Sequence, residues 1–175
     1  RASTAGFEMD VREIEAGEIL SEDGVRVRAV AVEHQPVKFA FGYVFEADGH
    51  KVAFSGDTAR SQALIDAARG ADALVHECFL HAEMPPIPGV RSAETVAAID
   101  AYHTRSDEVG KIAREAGAKL LVLNHFVPTR FDPQKLLDEV GTDFAGPVAV
   151  GEDLMRFDCA TRRLSYPGGT LTLGA

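Results

Sequence analysis

The sequence predicts an α/β domain in which helices flank a mixed sheet. Up to Ser55, apolar and polar residues alternate between tight turns, which is typical of antiparallel strands. After Asp57, short apolar runs alternate with helical patterns, which favours strands covered by helices. No linker divides the chain, so we predict a single domain over residues 1–175.

The first third of the chain is expected to form four strands. The strands predicted from period-two patterns cover residues 7–11, 25–32, 41–46 and 50–55. The last two form a hairpin around an Ala-Asp-Gly turn, because Asp and Gly tolerate the backbone conformations that such turns need. Residues 35–40, around a proline, are expected to be a loop.

Helices and strands alternate in the rest of the chain. Helices are predicted at 61–68, 93–102, 105–116 and 133–140, and strands at 73–75, 120–123 and 148–150, with a closing hairpin of 154–157 and 163–166. Thr104 and Asp107 resemble a capping box, and Asp132-Pro133 is a typical helix start. The proline-rich segment 84–89 is expected to be irregular. Residues after Pro167 are expected to form a terminal tail.

Composition and charge disfavour several classes of function. The net charge of -9 disfavours nucleic-acid binding, which needs clustered Lys and Arg. No apolar run approaches the roughly 20 residues of a membrane span. Cys78 and Cys159 lie far apart and are interpreted as thiols of a reducing compartment, so a cytoplasmic location is expected.

Ionisable residues recur at the ends of the apolar runs. These residues are His34, Asp57, His76 with Glu77, His103 and His125. A single histidine of this kind is usually structural, and a carboxylate after glycine can simply cap a helix or close a turn. Five coincidences indicate a shared pocket, and imidazole and carboxylate are ligands of zinc and related ions. We therefore predict that Asp57 and His125 bind metal, whereas His50, beside a hairpin turn, is expected to be solvated.

Five motifs in a fixed order support a family resemblance. They are Val-Ala-Val-Glu-His-Gln-Pro-Val-Lys-Phe-Ala-Phe-Gly-Tyr (30–43), Phe-Ser-Gly-Asp-Thr (54–58), Ala-Asp-Ala-Leu-Val-His-Glu (71–77), Tyr-His-Thr (102–104) and Leu-Val-Leu-Asn-His-Phe (121–126). Over roughly residues 25–158 the chain resembles the C-terminal half of metallo-β-lactamase-fold hydrolases. The branch is the one with ribonuclease Z and arylsulfatase-like or phosphodiesterase-like enzymes. The resemblance implies an αββα sandwich.

The resemblance also implies a role for each residue. Asp57 would bridge two divalent ions, zinc first with manganese or iron as alternatives, and His125 would be the last histidine ligand. His103 would donate a proton to the leaving group. Glu77 would orient that imidazole, although a plain strand-end salt bridge is an equally good interpretation. His34 would line the substrate pocket.

One part of the family pattern is missing. The main ligand signature, His-x-His-x-Asp-His, does not occur, and no His-x-His is present anywhere in the sequence. Asp57 and His125 alone are fewer than the three protein ligands of a catalytic zinc. We expect either a fragment, whose N-terminal half is missing or on a partner chain, or a remnant without metal. The start at Arg1 favours the fragment; a homo-oligomer is a further option.

The expected function is hydrolysis of a phosphoester, a sulfate ester or a similar small substrate by a metal-activated hydroxide. The negative charge and a proline-rich lid at 84–90 favour a small-molecule substrate over nucleic acid, as in arylsulfatase-like or phosphodiesterase-like enzymes. The alternative is a non-catalytic scaffold or partner-binding domain that kept the fold but lost the chemistry.

Overall fold

The structure is a computed structural model that describes residues 11–174. Within this range a seven-stranded sheet contains its strands in chain order, from β1 to β7. Four antiparallel strands come first: β1 (Gly17–Glu22), β2 (Val25–His34), β3 (Val37–Ala47) and β4 (His50–Phe54). The strand expected at 7–11 lies outside the described residues, apart from Val11, which is in no strand.

The second half of the sheet is parallel. Strands β5 (Ala73–Phe79), β6 (Leu121–Val127) and β7 (Val148–Val150) run parallel to β4 and to each other. The carboxyl ends of β4, β5, β6 and β7 therefore lie along the same side of the sheet, which we call the carboxyl edge. Open α/β folds place their ligands at this edge. This edge carries the predicted site residues Asp57 and His125.

Helices cover the sheet, and a second, smaller sheet follows them. The helices are α1 (Gln62–Ala67), α2 (Ala93–Asp100), α3 (Ser106–Ala116) and α4 (Pro133–Gly141), with a 3-10 turn at His81–Glu83. The small antiparallel sheet contains β8 (Arg156–Asp158), β9 (Arg163–Tyr166) and β10 (Gly169–Thr172). The expected α/β class, with a mixed sheet and flanking helices, is confirmed. The single domain over residues 1–175 stays a prediction.

The spacing of apolar residues in helix α3 explains why this helix packs on the parallel strands. Val109, Ile112, Ala113 and Ala116 recur at helical spacing and are buried in the same core as the apolar residues of β5 and β6. Gly117, in the left-handed conformation (φ 60°), ends the helix. The parallel strands read as continuous apolar runs because the sheet is buried there.

A predicted strand boundary and a predicted helix cap were wrong in ways that matter for the site. Strand β5 does not end at Val75, because Cys78 and Phe79 are fully buried and extend its pairing with β6 beyond a bulge. Glu77 therefore lies inside a strand instead of after it. Helix α3 has no side-chain cap, because the hydroxyl of Thr104 donates instead to the carbonyl of Thr58, at 2.7 Å.

Two further differences concern the connections. Strand β3 begins at Val37, so the predicted loop at 35–40 shrinks to a two-residue turn. The predicted tail after Pro167 forms β10, because Gly169–Thr172 pairs with β9. Both segments lie beside a proline, Pro36 or Pro167, which disfavours the interior of a strand, and pairing with the neighbouring strand decided their structure.

Within β5, the imidazole of His76 is completely buried, and its Nδ1–H donates to the carbonyl of Glu77 at 2.8 Å. Burial lowers the pKa of His76, because the charged imidazolium would have to leave water. The folded protein therefore keeps this ring neutral at a pH where the unfolded chain, with a pKa of about 6.5, already binds a proton.

We predict that the free energy of unfolding decreases as the pH falls below about 6.5, since only the unfolded state then takes up the proton of His76. The substitution His76→Asn keeps an N–H donor but cannot titrate, so its pH dependence should be shallower. Urea unfolding from pH 8 to 5 in the presence of a chelator measures both slopes. Identical slopes in the two proteins would contradict this account, whatever the difference in absolute stability.

Candidate metal centre

The buried carboxylate of Glu77 is the hub of the site. Its Oε1 accepts hydrogen bonds from the backbone N–H of Thr104 (2.8 Å), from Nδ1 of His103 (3.0 Å) and from the backbone N–H of Thr58 (3.2 Å). These three donors come from two different segments of the chain, one after β4 and one before α3. The carboxylate therefore fixes both segments relative to β5.

Backbone contacts hold Glu77 itself in place. The hydroxyl of Ser55, at the end of β4, accepts the backbone N–H of Glu77 at 3.0 Å. On the other side, the N–H of Phe79 donates to the carbonyl of Thr104 at 2.8 Å. Thr104, the residue after His103, is thus tied to β5 through both its N–H and its carbonyl, and His103 itself is bonded to Glu77 of the same strand.

His103 is mostly buried and is in contact with two other histidines. Its ring stacks on that of His125, with centroids 5.5 Å apart and an interplanar angle of 28°. The ring of His34 approaches edge-on, at 5.1 Å, and His34 Nδ1 bonds the carbonyl of Tyr102 at 2.9 Å. Because Glu77 accepts at Nδ1 of His103, that nitrogen carries a hydrogen, and Nε2 is left for other partners.

Asp57 and His125 meet at the open edge of the sheet. Asp57 Oδ2 lies 3.4 Å from His125 Nε2, and both side chains are partly exposed to solvent. In a tetrahedral zinc site with bonds of about 2.0–2.2 Å, two ligand atoms are about 3.3–3.6 Å apart. The separation therefore fits a cation bound by both residues.

The backbone has a positive φ angle at Gly56, just before Asp57, and at His125. Gly56 has a φ of 61°, and a Cβ atom at this position would lie 2.5 Å from the carbonyl oxygen of Phe41, so only glycine fits before Asp57. His125 itself has a φ of 42°, which is unusual for a residue other than glycine and costs roughly 1–3 kcal/mol. Such strain is concentrated at functional sites.

Two further observations describe the polar pocket beside the Asp57–His125 pair. One oxygen of Glu77, one ring nitrogen of His103 and one of His125 all lie within 4.8 Å of each other. In the described part of the chain, the buried Oε2 of Glu77 has no hydrogen-bond partner. A buried carboxylate oxygen without a donor suits a nearby cation or ordered water.

The structure brings together all five residues predicted from the sequence. His34 contacts His103, Glu77 binds His103, His103 stacks on His125, and His125 lies beside Asp57. Their individual roles stay predictions. Sequence reasoning missed Thr58 and Thr104, because both act through backbone N–H groups, which every non-proline residue carries.

The fold and the site together are those of a metallo-β-lactamase-fold hydrolase with a candidate site for a divalent metal, which confirms the class expected from the motifs. A family model described as the Beta-lactamase superfamily domain matches residues 2–126. The chain therefore belongs to the β-lactamase superfamily, and its curated relatives place it on the ribonuclease Z branch.

The relatives support this branch at moderate identity. A putative ribonuclease Z of Mycobacterium tuberculosis (strain CDC 1551 / Oshkosh) is 35% identical over 157 residues, which cover 89% of this chain and 68% of the relative. Ribonuclease Z of Mycobacterium tuberculosis (strain ATCC 25618 / H37Rv) is also 35% identical over 157 residues, covering 89% of this chain and 56% of the relative. The chain thus spans between about half and two thirds of the lengths of these proteins.

Solved structures confirm the fold. The metallo-β-lactamase-fold protein YhfI from Bacillus subtilis superposes with a TM-score of 0.59 at 26% identity, over 76% of this chain and 49% of that one. The short form of human tRNase Z gives a TM-score of 0.52 at 21% identity, over 79% of this chain and 43% of that one. At the lower identity the likeness shows the fold alone.

The comparisons correct one expectation from the sequence. The preference for a small-molecule substrate over nucleic acid was wrong, because the relatives at 35% identity are named ribonuclease Z. The error came from the net charge of -9, which sums the whole chain. Recognition of a nucleic-acid backbone depends on the charge of the contacting face.

In residues 11–174, no helix is long and apolar enough to cross a membrane.

We predict that Glu77→Gln lowers the free energy of unfolding by roughly 1–3 kcal/mol, because glutamine loses the charge that strengthens three buried hydrogen bonds. Glu115→Gln is the matched control, since Glu115 forms an exposed ion pair with Arg60 and its loss should cost less than about 1 kcal/mol. Chemical denaturation without added metal measures both. Equal stability of the two variants would show that Glu77 is not the hub.

Proposed function

We propose that this chain carries the acid–base and metal-binding residues of a ribonuclease Z-like phosphodiesterase that hydrolyses RNA. The observation that carries the proposal is the convergence of two pairs, Asp57 with His125 and Glu77 with His103, joined by the stacked rings of His103 and His125. The names of the 35%-identical relatives support RNA as the substrate.

Asp57 and His125 would hold the metal, for which zinc is the first choice because carboxylate and imidazole are among its usual ligands. When bound, a divalent ion supplies Lewis-acid polarisation of the phosphoryl group and neutralises its charge. Both side chains are partly exposed, so an ion held there would be open to a substrate at the edge of the sheet.

His103 would act as the general acid. Glu77 keeps the hydrogen on Nδ1 and orients the ring, as carboxylates commonly do for histidines in such sites. A proton on Nε2 can then pass to the leaving oxygen when the phosphorus–oxygen bond breaks, while water supplies the oxygen that joins phosphorus. The products are a phosphomonoester and an alcohol, so atoms and charge balance.

His34 would contact the substrate from the rim. It is half-buried, its ring lies beside His103, and its Nδ1–H is held by the carbonyl of Tyr102. This arrangement leaves Nε2 of His34 as the nitrogen that a substrate can reach.

A location in the cytoplasm stays a prediction.

A non-catalytic scaffold explains the site less well. A scaffold needs neither a strained His125 nor a buried carboxylate oxygen without a partner, and both have a stability cost. These features occur together beside the exposed Asp57–His125 pair. A metal-dependent hydrolase accounts for all three.

We predict that His103→Ala lowers kcat for RNA cleavage by about 10²–10⁴-fold while the bound metal is retained, because it removes the general acid and no ligand. The whole protein is assayed with a 5′-labelled structured RNA precursor, and metal content is measured by mass spectrometry on the same samples. Asp57→Ala is the control, and it should lose metal and activity together.

Two outcomes would contradict these assignments separately. If His103→Ala also loses metal, His103 is a ligand and its role as the acid is wrong. If the metal-loaded wild-type protein cleaves the simple diester bis(p-nitrophenyl) phosphate but no RNA, the hydrolytic chemistry stands and the RNA substrate is wrong.

A further inference from the structure

A second group of metal-ligand residues lies at the opposite end of the strands. One ring nitrogen of His50, one carboxylate oxygen of Asp72 and the sulfur of Cys159 all lie within 4.8 Å of one another. His50 begins β4 and Asp72 directly precedes β5, whereas Asp57 follows the far end of β4. With about 3.3 Å per residue, β4 alone separates the two groups by about 15 Å.

We propose that His50, Asp72 and Cys159 form a second metal site, which binds one zinc-class divalent cation and joins the small sheet to the main sheet. Nitrogen, oxygen and sulfur from these three residue types are the protein ligands of zinc. Three of them leave a fourth tetrahedral position for water. The thiolate disfavours magnesium and calcium, which prefer oxygen ligands.

The carboxylate of Asp72 is already oriented for this role. Its Oδ1 accepts from the ammonium group of Lys119 at 2.8 Å, and its Oδ2 accepts from the backbone N–H of Lys51 at 2.9 Å. Oδ2 is also 3.2 Å from Nδ1 of His50, close to the roughly 3.3 Å expected between nitrogen and oxygen ligands of one zinc. A carboxylate oxygen has two lone pairs, so Oδ2 can keep its bond to Lys51 and still bind a cation.

Because of the position of Cys159, a cation bound at this site would link the small sheet to the main sheet. Cys159 lies in the turn between β8 and β9, and thus belongs to the small three-stranded sheet. His50 and Asp72 lie at the amino-terminal ends of β4 and β5, which are neighbouring strands of the main sheet. A cation bound by all three would link the two sheets only in the folded chain, and it would therefore stabilise the fold. His50, which was expected to be solvated, is partly exposed and also pairs with Asp72.

Cobalt is the probe, because thiolate ligation to Co²⁺ produces a charge-transfer absorption that nitrogen and oxygen ligands lack. We expect the metal-free chain to develop this absorption with one equivalent of Co²⁺. It should be absent in Cys159→Ser and present in His125→Ala, which alters only the first site. Cys78→Ala is the matched control, and it should keep the absorption because Cys78 is fully buried in the hydrophobic core.

Alkylation of the unmodified protein tests the proposal without any substitution. Iodoacetamide should modify Cys159 about tenfold more slowly when free Zn²⁺ exceeds its dissociation constant tenfold, since bound metal protects the thiol. The proposal is overturned if no thiolate absorption develops, if the absorption survives in Cys159→Ser, or if Zn²⁺ leaves the alkylation rate of Cys159 unchanged.

Discussion

The buried carboxylate of Glu77 is the interaction on which the site depends. A single oxygen accepts from Thr58, His103 and Thr104, and so joins the segment after β4 to the segment before α3. Three donors on one buried carboxylate compensate for its removal from water. The carboxylate acts together with the bonds of Ser55 to Glu77 and of Thr104 to Phe79, which also fix these two segments to β5.

Parallel pairing of strands explains why the site forms at one edge. Strands β4, β5 and β6 run in the same direction, so residues at or beyond their carboxyl ends converge even though they are far apart in sequence. The same geometry gathers His50 and Asp72 at the other edge. One sheet thus presents two clusters of potential ligands, the first open to solvent and the second beside the small sheet.

Much of the fold and of the candidate site was predictable from the sequence. Apolar runs located the parallel strands, and glycine signals located the turns, because both depend on local physical properties. The five predicted site residues came together because they follow those runs.

The role of Thr58 and Thr104 was not predictable, since their contacts use the backbone. The pairing of His50 with Asp72 depends on strand order, which no local pattern encodes. Net charge misled the choice of substrate because it averages over every face of the molecule.

The central claim is that Asp57 and His125 share a cation. Anomalous X-ray diffraction at the zinc edge, from crystals of the zinc-loaded protein, tests it most directly. We expect a peak at about 2.0–2.2 Å from both Asp57 Oδ2 and His125 Nε2. The account would be contradicted by crystals in which zinc is bound elsewhere and these two side chains contact only each other.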